Sequence, residues 1–75
     1  MGINDREIGQ RVRTVRMERG LKQKELAIML GVTPNHVSHV ESGIKPASLD
    51  LLADVALLLD TSLDFLVLGR DFRTF

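Results

Sequence analysis

The sequence predicts an all-α domain of five helices, and three observations carry that expectation. Apolar residues recur at spacings of three and four along the chain, and no stretch of strict alternation bounded by turn signals competes for a strand. Helix-starting side chains and helix-stopping glycines punctuate the chain at intervals that leave five apolar segments. A length of 75 residues leaves room for one domain, which also excludes most enzymes.

The first helix is expected to start at Asn4 as N-cap, with Glu7 completing a capping box and Ile3 packing on Ile8 as a hydrophobic staple. Its core face is Ile8, Val12 and Val15. Arg6, Arg11, Arg13 and Arg19 are read as a solvated face, and Gly20 stops the helix. A short second helix runs from Gln23 to Leu30 and ends at Gly31, the residue best able to take the left-handed conformation of a tight turn. Thr33 caps a third helix that begins at Pro34, where a missing N–H costs nothing, and runs to about Ser42, before Gly43. After the connection at residues 44–47, Ser48 caps a fourth helix to Leu59. Ser62 then starts a fifth, short helix to about Leu68. Residues 1–68 are taken as the domain and 69–75 as a tail.

Charge narrows the function. Ten basic and ten acidic side chains cancel, which argues against a simple basic coat for nucleic acid. The distribution is polarised, however: residues 1–48 hold eight basic and five acidic side chains, residues 49–75 two and five. Cys is absent and two His residues do not make a structural zinc site, so oligomerisation is the remaining support for so small a core and a homodimer is expected. The start of the chain lacks an apolar secretion segment, and the longest apolar run, residues 55–59, is far short of a membrane span. The expected location is cytoplasmic, with no membrane partner. No nucleophile–base pair, Gly-rich phosphate loop or metal cluster stands at motif spacing, so neither enzyme activity nor a cofactor is expected.

The segment from Gln23 to Ser42 carries the function. Two helices that cross at a steep angle through a four-residue turn approach closely at one point, so the residue there must be small, which Ala27 satisfies. Leu26, Leu30, Val32, Val37 and Val40 close the inner faces. Asn35, His36, Ser38, His39 and Ser42 are left on an outer face that is polar and uncharged.

With these residues in place, the chain resembles the helix-turn-helix family of phage repressor and Cro-type (XRE-like) transcriptional regulators. Arg16, Gly20-Leu21, Gln23, Glu25-Leu26-Ala27, Leu30-Gly31-Val32-Thr33, Val37-Ser38, Glu41 and Gly43 carry the resemblance, together with Leu52, Ala56, Leu59, Ser62 to Asp64 and Leu66. It implies a compact five-helix repressor-like DNA-binding domain with the helix-turn-helix at helices 2 and 3. The third helix would lie in the major groove of double-stranded DNA, with Pro34, Asn35, His36, Ser38 and His39 at or beside base edges. Asn35 suits adenine N6 and N7, and His39 suits guanine N7 or O6. Pro34 departs from the family pattern, replacing a polar reader with an apolar contact.

The resemblance also places Lys22, Gln23, Lys24, Ser42 and Lys45 against phosphates. Arg16 and Glu41 match a partly buried ion pair between the first and third helices. The surplus of apolar residues towards the C-terminus suggests an isologous dimer through Leu58, Phe65, Leu66, Leu68, Phe72 and Phe75, suited to a palindromic operator. The competing explanation of that surplus is a tail folded back within one chain. The leading functional expectation is therefore a dimeric operator-binding regulator, a repressor. The second is an antitoxin-like protein whose apolar C-terminal face holds a toxin or protein antagonist.

Overall fold

The computed structural model describes residues 3–70, so Phe72 and Phe75 lie outside the described residues. Five helices form in order: α1 (Asp5–Glu18), α2 (Gln23–Leu30), α3 (Pro34–Ser42), α4 (Leu49–Leu58) and α5 (Leu63–Leu68). The starts of α1, α3, α4 and α5 follow from short side chains that accept orphan backbone N–H groups. Asn4 Oδ1 accepts from Arg6 and Glu7, Thr33 Oγ1 from His36, Ser48 Oγ from Leu51 and Ser62 Oγ from Phe65. Two details at the first helix differ from expectation. Glu7 does not return a bond to Asn4 but lies 3.9 Å from Arg11 Nη2, one turn on, and Ile3 remains 68% exposed, so the staple on Ile8 leaves most of its surface in water.

The core is assembled from one stripe of each helix: Ile8, Val12 and Val15 of α1, Leu26 and Ala27 of α2, Val37 and Val40 of α3, Leu52 and Val55 of α4 with Leu59 just beyond it, and Leu66 of α5. Leu49, by contrast, is 69% exposed at the first turn of α4, beside its cap.

Backbone contact between α1 and α3 needs Gly9. A Cβ there would sit 2.8 Å from Glu41 O and still closer to Val40 O, so only a residue without a side chain lets the two helices meet at this distance. Gly43 works at the same joint: it takes φ 81° at the end of α3, and a Cβ on it would lie 2.8 Å from Arg6 Cα.

Two arginines expected on a solvated face are structural. Arg11 Nη1 donates to Leu66 O and Val67 O (3.3 and 3.1 Å), and Arg19 donates through Nε to Leu59 O and through Nη2 to Asp60 O (2.8 and 3.2 Å). The last carbonyls of a helix lack intrahelical donors and carry partial negative charge, so a guanidinium fork satisfies both needs at once. α1 thus holds the C-terminal ends of both α4 and α5. The α4 end is also where Asp60 takes a positive φ of 53°. Among the described residues no helix is long and apolar enough to cross a membrane.

Candidate nucleic-acid interface

The site is built on the α2–turn–α3 unit. α2 closes at Gly31, φ 72°, after which Val32 N–H returns to Ala27 O at 3.0 Å and Thr33 caps α3 at once. The turn is short because Gly31 supplies the left-handed residue and Pro34 is already preset for a first helical turn. Ala27 is 1% exposed where the two helices cross. With Val37 and Val40 drawn into the core, the opposite side of α3 is fixed in register.

That register leaves Pro34, Asn35 and His39 exposed and His36 and Ser38 half-buried. Among the described residues, neither the Asn35 amide nor the His39 ring is bound to another part of the chain. The His39 carbonyl is occupied: it accepts from Ser42 Oγ and from Lys45 N–H, both at 3.1 Å. The Ser42 hydroxyl thus donates within its own helix in this structure.

At the start of α2, Lys22 and Lys24 are exposed. An ammonium has no acceptor, so Lys22 does not cap its helix; instead its own N–H donates to Glu25 Oε1 at 2.8 Å. Gln23 is half-buried and its Nε2 donates to Glu41 Oε1 at 3.0 Å. Behind it stands the pair expected from the sequence. Arg16 Nε and Nη2 donate to the two Glu41 oxygens at 2.7 and 3.0 Å, and Arg16 Nη1 donates to Leu21 O at 2.7 Å. Both residues are buried and no buried side-chain polar atom among the described residues lacks a partner. This bidentate fork ties α1, the approach to α2, and α3 together, so the exposed face of α3 is held from behind by charge-assisted bonds.

Between these elements lies an open polar depression of about 270 Å³, lined by Arg13, Gln23, Ser38, Glu41 and Ser42. Sequence reasoning placed Arg13 on a solvated face; its spacing along α1 gave no sign that it shares a concavity with Gln23. Lys45 is exposed in the α3–α4 connection.

The residues assigned to a dimer surface separate. Leu58 and Leu68 are 44% and 52% exposed, and Phe65 is half-buried against the core. Leu66 is a correction: it is fully buried between its own helices, because Ser62 starts α5 in the register that turns Leu66 inward. Leu57 and Leu63 add exposed apolar surface to the same two helices. Among the described residues no group of three or more His, Cys, Asp or Glu is placed to hold a metal ion.

A helix-turn-helix family model matches residues 12–66 of the chain. The HTH-type transcriptional regulator RamB of Mycobacterium tuberculosis is 30% identical over 66 residues, which is 88% of this chain and 14% of RamB. The chain therefore spans a small part of that curated relative's length. Among solved structures, the restriction-modification controller protein C.AhdI from Aeromonas hydrophila is similar at TM-score 0.75 and 34% identity, covering 81% of this chain and 92% of that one. The master regulator for biofilm formation SinR, solved in complex with DNA, is similar at TM-score 0.73 and 35% identity, covering 79% of this chain and 95% of that one.

Proposed function

The chain belongs to the helix-turn-helix family of Cro/C1-type DNA-binding transcription regulators, and we propose that it acts as a sequence-specific repressor that occupies a palindromic operator as a dimer, without enzymatic chemistry. One observation carries this reading: α3 offers Asn35 and His39 as exposed side chains with no partner among the described residues, on a helix whose other face is locked into the core. Groups that read base edges must be free of the protein and rigidly aimed, and this helix meets both conditions. Lys22, Lys24 and Lys45 supply charge for phosphates, and the second N–H of the Gln23 amide supplies a neutral hydrogen-bond donor.

Selection of bound duplexes from a random pool provides the operator, and Asn35→Ala tests the reading. Loss of a bidentate contact to adenine weakens binding to the selected duplex by about 1–3 kcal/mol and leaves random duplex nearly unaffected. Equal losses on both show that Asn35 does not read bases. The partner-holding alternative is favoured by the exposed leucines of α4 and α5. It predicts a stable complex with a small protein, together with binding to the selected duplex no tighter than to a random one.

A further inference from the structure

Of the arginines along α1 and its C-cap, three are engaged: Arg11 and Arg19 by helix-end carbonyls, Arg16 by Glu41 and Leu21 O. Arg6 and Arg13 are exposed and their side chains make no hydrogen bond or ion pair among the described residues; of the two, Arg13 borders the same depression as Gln23. The one carboxylate in that depression, Glu41, is buried and balanced by the Arg16 fork at 2.7 Å, so the unbalanced charge of the concavity is that of Arg13. The Gln23 amide is also oriented. An ionised carboxylate only accepts, so Nε2 must face Glu41 Oε1, and its second N–H remains available for another acceptor. A depression of about 270 Å³ with one free guanidinium and one free amide N–H, beside the exposed face of α3, suits a tetrahedral oxyanion.

We propose that Arg13 and Gln23 together seat one backbone phosphate of the DNA, with the Arg16–Glu41 pair as the support that fixes Gln23. The proposal rests on the DNA-binding reading above and adds a residue of α1 to it. A phosphate contact positions the protein without reading sequence, so its loss is felt alike on every duplex. Each phosphate neutralised also releases counterions, which contributes about 0.9 to the slope of log affinity against log salt.

The experiment titrates duplex from the selected pool and a random-sequence duplex over a salt series, with wild type, Arg13→Ala, Arg13→Lys and Arg70→Ala. Arg70 is a charge-matched control: it follows Gly69, which abuts Arg11 rather than the Arg13 side of α1. The expected result is that Arg13→Ala weakens both duplexes by the same factor and lowers the slope by about 0.9, that Arg13→Lys restores the slope, and that Arg70→Ala leaves it unchanged. An unchanged slope in Arg13→Ala, a loss confined to the selected duplex, or an equal fall in slope for Arg70→Ala overturns the proposal while leaving the regulator reading standing. Wild type that binds neither duplex overturns both.

Discussion

Arg16 shows at the scale of one residue how stability and function share a group. Its guanidinium is 10% exposed at the side chain and meets a Glu41 side chain that is 3% exposed. Glu41 in turn holds the amide of Gln23, so the charge that secures α3 also aims a residue of the proposed DNA-binding surface. Removing one member of a buried pair leaves the other ionised in a poor solvent. Arg16→Ala is therefore expected to cost about 3–5 kcal/mol in chemical denaturation, whereas an exposed pair would cost under ~1 kcal/mol. Replacing both members by apolar residues of similar size, Arg16→Met with Glu41→Leu, is expected to recover much of that loss. The same double change removes the acceptor that orients Gln23, so it should still weaken DNA binding relative to wild type. A double variant as destabilised as Arg16→Ala contradicts the burial account.

The helices themselves show which parts of the fold are legible in sequence. Their starts are decided by contacts two or three residues long, as with Asn4, Thr33, Ser48 and Ser62, and these read directly from the chain. Their mutual fastening is decided by contacts that cross tens of residues, and local spacing does not report it. Arg19 reaches Leu59 and Arg11 reaches Val67, yet both resemble ordinary arginines of a solvated helix face. Gly9 is another case, since its role depends on carbonyls of α3. Likewise the α3 register that frees Asn35 is local and legible, whereas the concavity joining Arg13 to Gln23 needs two helices to be placed first. Two outcomes follow for the elements. Gly9→Ala forces a methyl onto the Val40 and Glu41 carbonyls, and separation of α1 from α3 should cost about 1–3 kcal/mol in thermal unfolding. Arg19→Ala strands the Leu59 and Asp60 carbonyls just beyond α4, a loss of about 1–2 kcal/mol, or a fall in Tm of roughly 4–16 °C for a domain of this size. A Tm equal to wild type for Arg19→Ala would show that water satisfies those carbonyls equally well.

Over the whole molecule, zero net charge conceals a division of labour between its ends. Basic residues concentrate on α1, α2 and the connection after α3, while Asp50, Asp54, Asp60 and Asp64 lie on or beside α4 and α5. On the DNA-binding reading, the basic first part of the chain is the part drawn to phosphates. Leu57, Leu58, Leu63 and Leu68 remain exposed on α4 and α5. On the proposed reading, a twofold pair joined there presents two copies of α3 to one duplex. Half-sites one helical turn apart need those helices about 34–36 Å from one another, a separation that two molecules measuring 34 × 25 × 19 Å side by side can span. Leu58→Glu with Leu68→Glu tests this arrangement, since both side chains are substantially exposed and their replacement should leave the monomer folded. Sedimentation is expected to show wild type as a dimer and the variant as a monomer at the same concentration, with unchanged helix content. On duplexes, the variant should lose the advantage of two half-sites over one while keeping its single half-site affinity. Salt should separate the two equilibria further: added salt weakens binding to phosphates, whereas an apolar junction ringed by like-charged carboxylates gains from screening. Wild type that sediments as a monomer at tens of micromolar, or a dimer that dissociates as salt rises, removes α4 and α5 as the junction and leaves their leucines for a different partner.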